Sequence, residues 1–172
     1  MPTYPTADKV ALAAMTAKAV AKGVLTPWCH DYHLAHISPA FLREESEKGK
    51  YRLICDFSHL SDLTEKRPSR SEGLLRLAFV LTTLGRMASF DLEDGYYMLR
   101  FHPDHQQYFV VEILGKYYEC TALPMGWRLS GYYIGKTVRV LVQHLRDNGV
   151  PVLPYVDDFL LALDLDIQEG EK

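Results

Sequence analysis

Hydrophobic and polar positions along this chain follow two rhythms, one helical and one extended. Residues 7–22, ADKVALAAMTAKAVAK, place Leu12, Met15 and Ala19 on one face at helical spacing. Asp8 suits the first turn, Lys22 the last, and Gly23 the position just past the end, so a helix is predicted here. Residues 33–43, HLAHISPAFLR, and 51–57, YRLICDF, predict extended segments separated by the polar turn EESEKGK. Residues 58–70 form a polar, partly basic connection, and 73–86 return to helical spacing and end near Gly85. Residues 87–92 predict a strand, and DGYY predicts a turn into a short helix. FVVEILGKYYECTAL predicts a hairpin that turns at Gly115-Lys116. Residues 130–148 predict a helix with Ile134, Val138, Leu141 and Leu145 on one face, stopped by Gly149. A last hairpin, PVLPYVDDFLLAL, carries Asp157 and Asp158 as its two turn residues, with Pro154 suited to an edge strand. Mixed helices, strands and hairpins predict an α+β fold.

The 172 residues suffice for one domain or two small subdomains with a real core. A formal charge of −3 argues against strong nonspecific nucleic-acid affinity, so any such role needs local basic patches. No run approaches the roughly 18 apolar residues of a membrane helix, and the N-terminus lacks a signal-peptide pattern. Cys29, Cys55 and Cys120 are widely spaced, which fits a reducing, intracellular compartment, cytoplasmic or nuclear. WCHDYHLAH gathers Cys29, His30, His33 and His36, but the spacing matches no common zinc pattern, and a polar loop entering a strand is the better reading.

The chemistry lies in three acids. Asp157 and Asp158 sit between apolar runs, and Asp91 ends another, bordered by Phe90 and Leu92. An acid in an apolar strand is costly to bury unless it is paired or metal-bound. A sheet that brings Asp91 beside Asp157 and Asp158 answers both cases. Three hard carboxylates in one place then select Mg²⁺ or Mn²⁺.

With those acids placed, the chain resembles the fingers and palm of a reverse transcriptase, nearest in look to retrotransposon enzymes of the tyrosine-recombinase (DIRS-type) group. The resemblance runs over residues 20–163 and rests on motifs in order. KGKYRLICDFSHLS is similar to the family's fingers strand, with HISPAFL echoing the strand ahead of it. SFDLEDGYYMLRFHPDHQQYF is similar to its first catalytic motif, GKYYECTALPMGWRLSGYYIGK to its substrate and template motif, and PYVDDFLLAL to its second catalytic motif. The resemblance implies a right-hand polymerase: fingers over about 1–70 and 100–122, palm over about 71–99 and 123–172, an antiparallel sheet with helices on one face, and no thumb. It implies template-directed DNA synthesis from dNTPs as part of a retroelement polyprotein, on an RNA or DNA template with a primer and with two Mg²⁺ or Mn²⁺ ions. The alternative is a truncated, non-catalytic remnant that keeps the fold and binds metal or nucleic acid.

By the same resemblance Asp91, Asp157 and Asp158 are the metal-binding carboxylates, joined by the backbone carbonyl of Leu92. Arg52 lies on the nucleotide's triphosphate, with Lys48 or Lys50 as its neighbour. Asp94, Gly95, Tyr96, Met125 and Gly126 line the nucleotide, and Trp127 and Tyr155 face template and primer. Tyr96 is expected to exclude a 2′-hydroxyl, while Tyr97, about 100° further round a helix, faces the core. Each residue also has a plain structural reading: Arg52 as an exposed strand charge, Tyr96 and Trp127 as packing, and Asp94 as a helix cap. Met125, Gly131 and Pro154 depart from residues usual in the family. The chain stops about nine residues after the last hairpin, so the thumb and any RNase H segment are expected to be missing from it.

Overall fold

The structure, a computed structural model, describes residues 6–29, 36–45, 50–68 and 86–163. His30, His33, Lys48 and the helix expected over 73–86 fall outside the described residues, except that Arg86 opens a strand. Two compact units divide the chain: Met1–Lys66 with Tyr96–Ser130, and Arg67–Gly95 with Gly131–Lys172.

The first unit is built on a five-stranded sheet in the order β1-β6-β5-β2-β3. Its strands are β1 (Leu25–Pro27), β2 (Ser38–Glu45), β3 (Lys50–Cys55), β5 (Val110–Ile113) and β6 (Lys116–Cys120). Helix α1 (Thr6–Ala21) packs against β1, β2 and β3. Gly23 at φ 63 ends it: its N–H donates to the Val20 carbonyl, and Val24 N–H donates to Ala19. The Arg100 guanidinium then reaches the Gly23 carbonyl just past the helix end and the Thr121 hydroxyl. Leu12, Leu25, Ala40, Phe57, Phe109, Val111, Ile113 and Cys120 form the core.

Three local differences from the sequence reading have simple causes. The sheet is mixed, because β2 and β5 pair in parallel, a long-range choice that no local pattern encodes. The connection after Cys55 begins with a short helix, α2 (Ser58–Asp62), because the Ser61 hydroxyl bonds the Phe57 carbonyl and Phe57 anchors the segment in the core. The β5–β6 hairpin turns at Leu114-Gly115, one residue earlier than expected. Both residues take positive φ, 52 and 76, as a two-residue turn matched to strand twist requires. A further short helix, α3 (Pro103–Gln106), starts at His102, whose ring accepts from the Asp104 N–H.

The second unit holds an antiparallel sheet, β4-β8-β7, made of β4 (Arg86–Asp91), β7 (Val152–Tyr155) and β8 (Asp158–Leu163). Pro154 lies in β7, an edge strand. Helix α4 (Ser130–Asp147) buries Ile134, Val138 and Val142 at a spacing of four, while Leu141 and Leu145 are only half-buried. Gly149 at φ 77 follows its end. Among the described residues no helix is long and apolar enough to cross a membrane.

Candidate active site

In the second unit the three acids converge on one end of the sheet. Asp91 is the last residue of β4 and Asp158 the first of β8, and they are directly paired. The Leu92 N–H donates to the Asp157 carbonyl at 3.0 Å. That bond makes Asp91 and Asp158 a pair of the close, non-hydrogen-bonded kind, with Cα atoms about 4.5 Å apart and side chains on the same face. Beneath them the Phe90 and Phe159 rings stack at 4.7 Å.

The hairpin register differs from the sequence reading by one residue. Tyr155 pairs with Asp158, so the turn residues are Val156 and Asp157, and Asp158 belongs to the strand. Val156 sits at φ 60. A β-branched residue is strained there, and such strain costs on the order of 1–3 kcal/mol. Its effect is to set Asp157 in the turn, beside the end of β4, rather than in line with β7.

The acids are also less buried than their apolar flanks suggest. Asp91 and Asp158 are exposed and Asp157 is half-buried, because strand ends reach solvent. Desolvation therefore adds little cost at this end of the sheet. Among the described residues no group of three His, Cys, Asp or Glu side chains is gathered tightly enough to hold a metal ion. The donor set nonetheless fits a hard divalent cation in kind: carboxylate oxygens from neighbouring backbone positions, with carbonyl oxygen beside them. The Leu92 carbonyl accepts from the Gly95 N–H at 3.1 Å, which leaves its second lone pair.

Asp94 and Gly95 complete this end. Asp94 takes φ 54 in the turn after Leu92. Gly95 is buried, and a Cβ there would stand 3.2 Å from the Leu92 Cβ and 3.6 Å from the Asp157 Cβ. Gly95 thus packs directly behind the acidic turn. Tyr155, 67% exposed, presents its side chain to solvent at the mouth of the hairpin.

In the first unit, Arg52 lies exposed on β3 directly opposite Arg43 of β2. Sequence reasoning missed Arg43, because only strand register pairs it with Arg52. Tyr96 and Tyr97 are both half-buried in the 3-10 helix Gly95–Met98, and Tyr97 lines a small cavity.

Met125 and Gly126 follow Pro124 in a loop that rests on β3. Gly126 has φ 100, and a Cβ there would lie 2.4 Å from the Cys55 carbonyl oxygen. Arg128 ties the loop to α2: its N–H donates to the Ser61 hydroxyl at 2.9 Å, Nη1 to the Ser61 carbonyl at 2.7 Å, and Nη2 to Asp62 at 2.9 Å. The Ser130 hydroxyl closes the loop onto the Pro124 carbonyl at 2.6 Å. Trp127 packs edge-on against Phe109, 4.9 Å between centroids, so its packing role is evident.

A family model described as reverse transcriptase (RNA-dependent DNA polymerase) matches residues 42–169, a span that includes the fingers strand, the Met125 loop and all three acids. The chain belongs to the reverse transcriptase family. Its fold is also that of a solved relative, the prototype foamy virus protease-reverse transcriptase in its native crystal structure. The two match with a TM-score of 0.73 and 22% identity over 95% of this chain. This reverse transcriptase chain spans 21% of the length of that protein.

Proposed function

We propose that the chain forms the fingers and palm of an RNA-directed DNA polymerase of a retroelement polyprotein. It extends a primer on an RNA or DNA template by nucleotidyl transfer from dNTPs. The first unit corresponds to the fingers and the second to the palm. The observation that carries this reading is the pairing of Asp91 with Asp158 beside the Leu92–Asp157 hydrogen bond, which gathers three acids on one sheet end.

In this reading Asp91, Asp157, Asp158 and the Leu92 carbonyl hold two Mg²⁺ or Mn²⁺ ions. When bound, such ions activate the primer 3′-hydroxyl and neutralise charge on the leaving pyrophosphate. The chain's own groups bind and orient. Arg52, with Arg43 opposite it, takes the triphosphate. Asp94, Gly95, Tyr96, Met125 and Gly126 line the nucleotide, and Trp127 and Tyr155 face the template and primer. Val156 and Asp157 form the turn that joins the two strands at this end.

Primer extension tests the reading, with the chain alone and joined to its native downstream sequence, in Mg²⁺ and in Mn²⁺. Extension that disappears in Asp91→Asn and Asp157→Asn supports it. Extension unaffected by either substitution refutes the site. A folded long form that binds Mn²⁺ yet never extends a primer marks a remnant that keeps the fold without the activity.

A further inference from the structure

Cys55 and Cys120 have no part in the polymerase reading, yet they share one place in the first unit. Cys55 is the last residue of β3 and Cys120 the last of β6, strands that stand apart in the sheet order. Cys120 is fully enclosed in the core and Cys55 packs against that same core from a half-buried position. Cys55 is the neighbour that most influences the Cys120 thiol. Together with Leu53, Tyr97, Ala122 and Met125 they line one cavity of about 20 Å³. That is room for about one water molecule, and it gives two sulfurs slack to approach without overpacking. The third cysteine, Cys29, is exposed and takes no part.

We propose that Cys55 and Cys120 form a peroxide-sensitive dithiol that closes to an intramolecular disulfide inside the first unit. Cys55 is the entry point, since it alone of the pair is partly open to solvent. Cys120, enclosed in the core on the cavity it shares with Cys55, meets the oxidised Cys55 rather than peroxide and so serves as the resolving group; Cys55 and burial push its thiol up. In the first step the Cys55 thiolate attacks one oxygen of hydrogen peroxide. The O–O bond breaks, a sulfenic acid forms, and the departing hydroxide takes up the proton the thiol released and leaves as water. In the second step the Cys120 sulfur, giving up its proton, attacks the Cys55 sulfur. The S–O bond breaks, the S–S bond forms and a second water leaves. Two thiols lose two electrons and one peroxide gains them. The disulfide ties the end of β3 to the end of β6 and contracts the cavity that Met125 lines, directly behind the loop that Gly126 rests on the Cys55 carbonyl.

The test needs no polymerase activity. The reduced 172-residue chain is treated with hydrogen peroxide under native conditions, alkylated, digested with trypsin without reduction, and mapped. Trypsin places the three cysteines in separate peptides, 23–43, 53–66 and 117–128. The expected product is peptide 53–66 joined to 117–128 with the loss of two hydrogens, about 2 Da. It should form equally in Cys29→Ser and vanish in Cys55→Ser. In denaturant the native selectivity should disappear, with pairings through Cys29 competing. If native oxidation links Cys29 to either partner, or leaves Cys55 and Cys120 both free for alkylation, or takes Cys55 to the sulfinic acid without a link, the proposal is overturned.

Discussion

Gly126→Ala should destabilise the first unit far more than an alanine at another positive-φ glycine. Two opposing effects can be separated. Alanine restricts the unfolded chain, which favours folding by about 0.4–1 kcal/mol. It must also adopt φ 100, in a region that costs an L-residue roughly 1–2 kcal/mol. The third effect is specific to this site. The new methyl would stand 2.4 Å from the Cys55 carbonyl oxygen, and that atom is backbone at the end of a paired strand. Forcing it back is an overpacking change of about 1–3 kcal/mol. The net loss is about 3 kcal/mol. Gly115→Ala provides the comparison: φ is 76 but nothing lies within 4 Å of its Cβ position, so only the backbone effects remain. It should cost about 0.5–1 kcal/mol. Urea unfolding of both variants at unchanged m gives the difference directly. If the two losses agree within about 0.5 kcal/mol, the close approach of Gly126 to β3 is wrong, and so is the placement of the Met125 loop. The same arithmetic warns that lost activity in Gly126→Ala is not by itself evidence of contact with a nucleotide.

Arg128→Ala removes the guanidinium bonds to the Ser61 carbonyl and Asp62 and should cost about 1.5–3 kcal/mol in urea unfolding. Asp62→Ala, losing only an exposed pairing, should cost less than about 1 kcal/mol; equal losses would contradict the assignment. His36 has its pKa lowered from 6.5 by burial first and by His59 second, with the two rings stacked at 5.0 Å. The unfolded chain therefore binds this proton more readily than the folded one. Stability should fall as pH drops below 6.5 and level off below the lowered value, and thermal unfolding of His36→Gln across that window should lack this component of the slope. In a longer, active polypeptide, Tyr96→Ala should collapse the preference for deoxyribonucleotides while Tyr97→Ala mainly lowers the unfolding midpoint; retained discrimination in Tyr96→Ala would place the sugar gate elsewhere.

Local chemistry in the sequence determined most elements and the identity of the three acids. The helix over 7–22, the strand ending at Asp91, the helix from Ser130 and both hairpins follow from periodicity and punctuating glycines, which act over a few residues. The ordered motifs carried the resemblance to the family, and the acids within apolar strands pointed to a shared cation. Tertiary structure decided what depends on partners distant in sequence. Only strand register set Asp91 opposite Asp158, moved the turn to Val156-Asp157, and laid Arg43 beside Arg52. The parallel pairing of β2 with β5, the fit of Gly126 against Cys55, and the meeting of Cys55 with Cys120 across 65 residues of sequence arise the same way. Periodicity reports which face of an element is apolar, but not which other element covers it, since that choice is made by packing the whole unit at once.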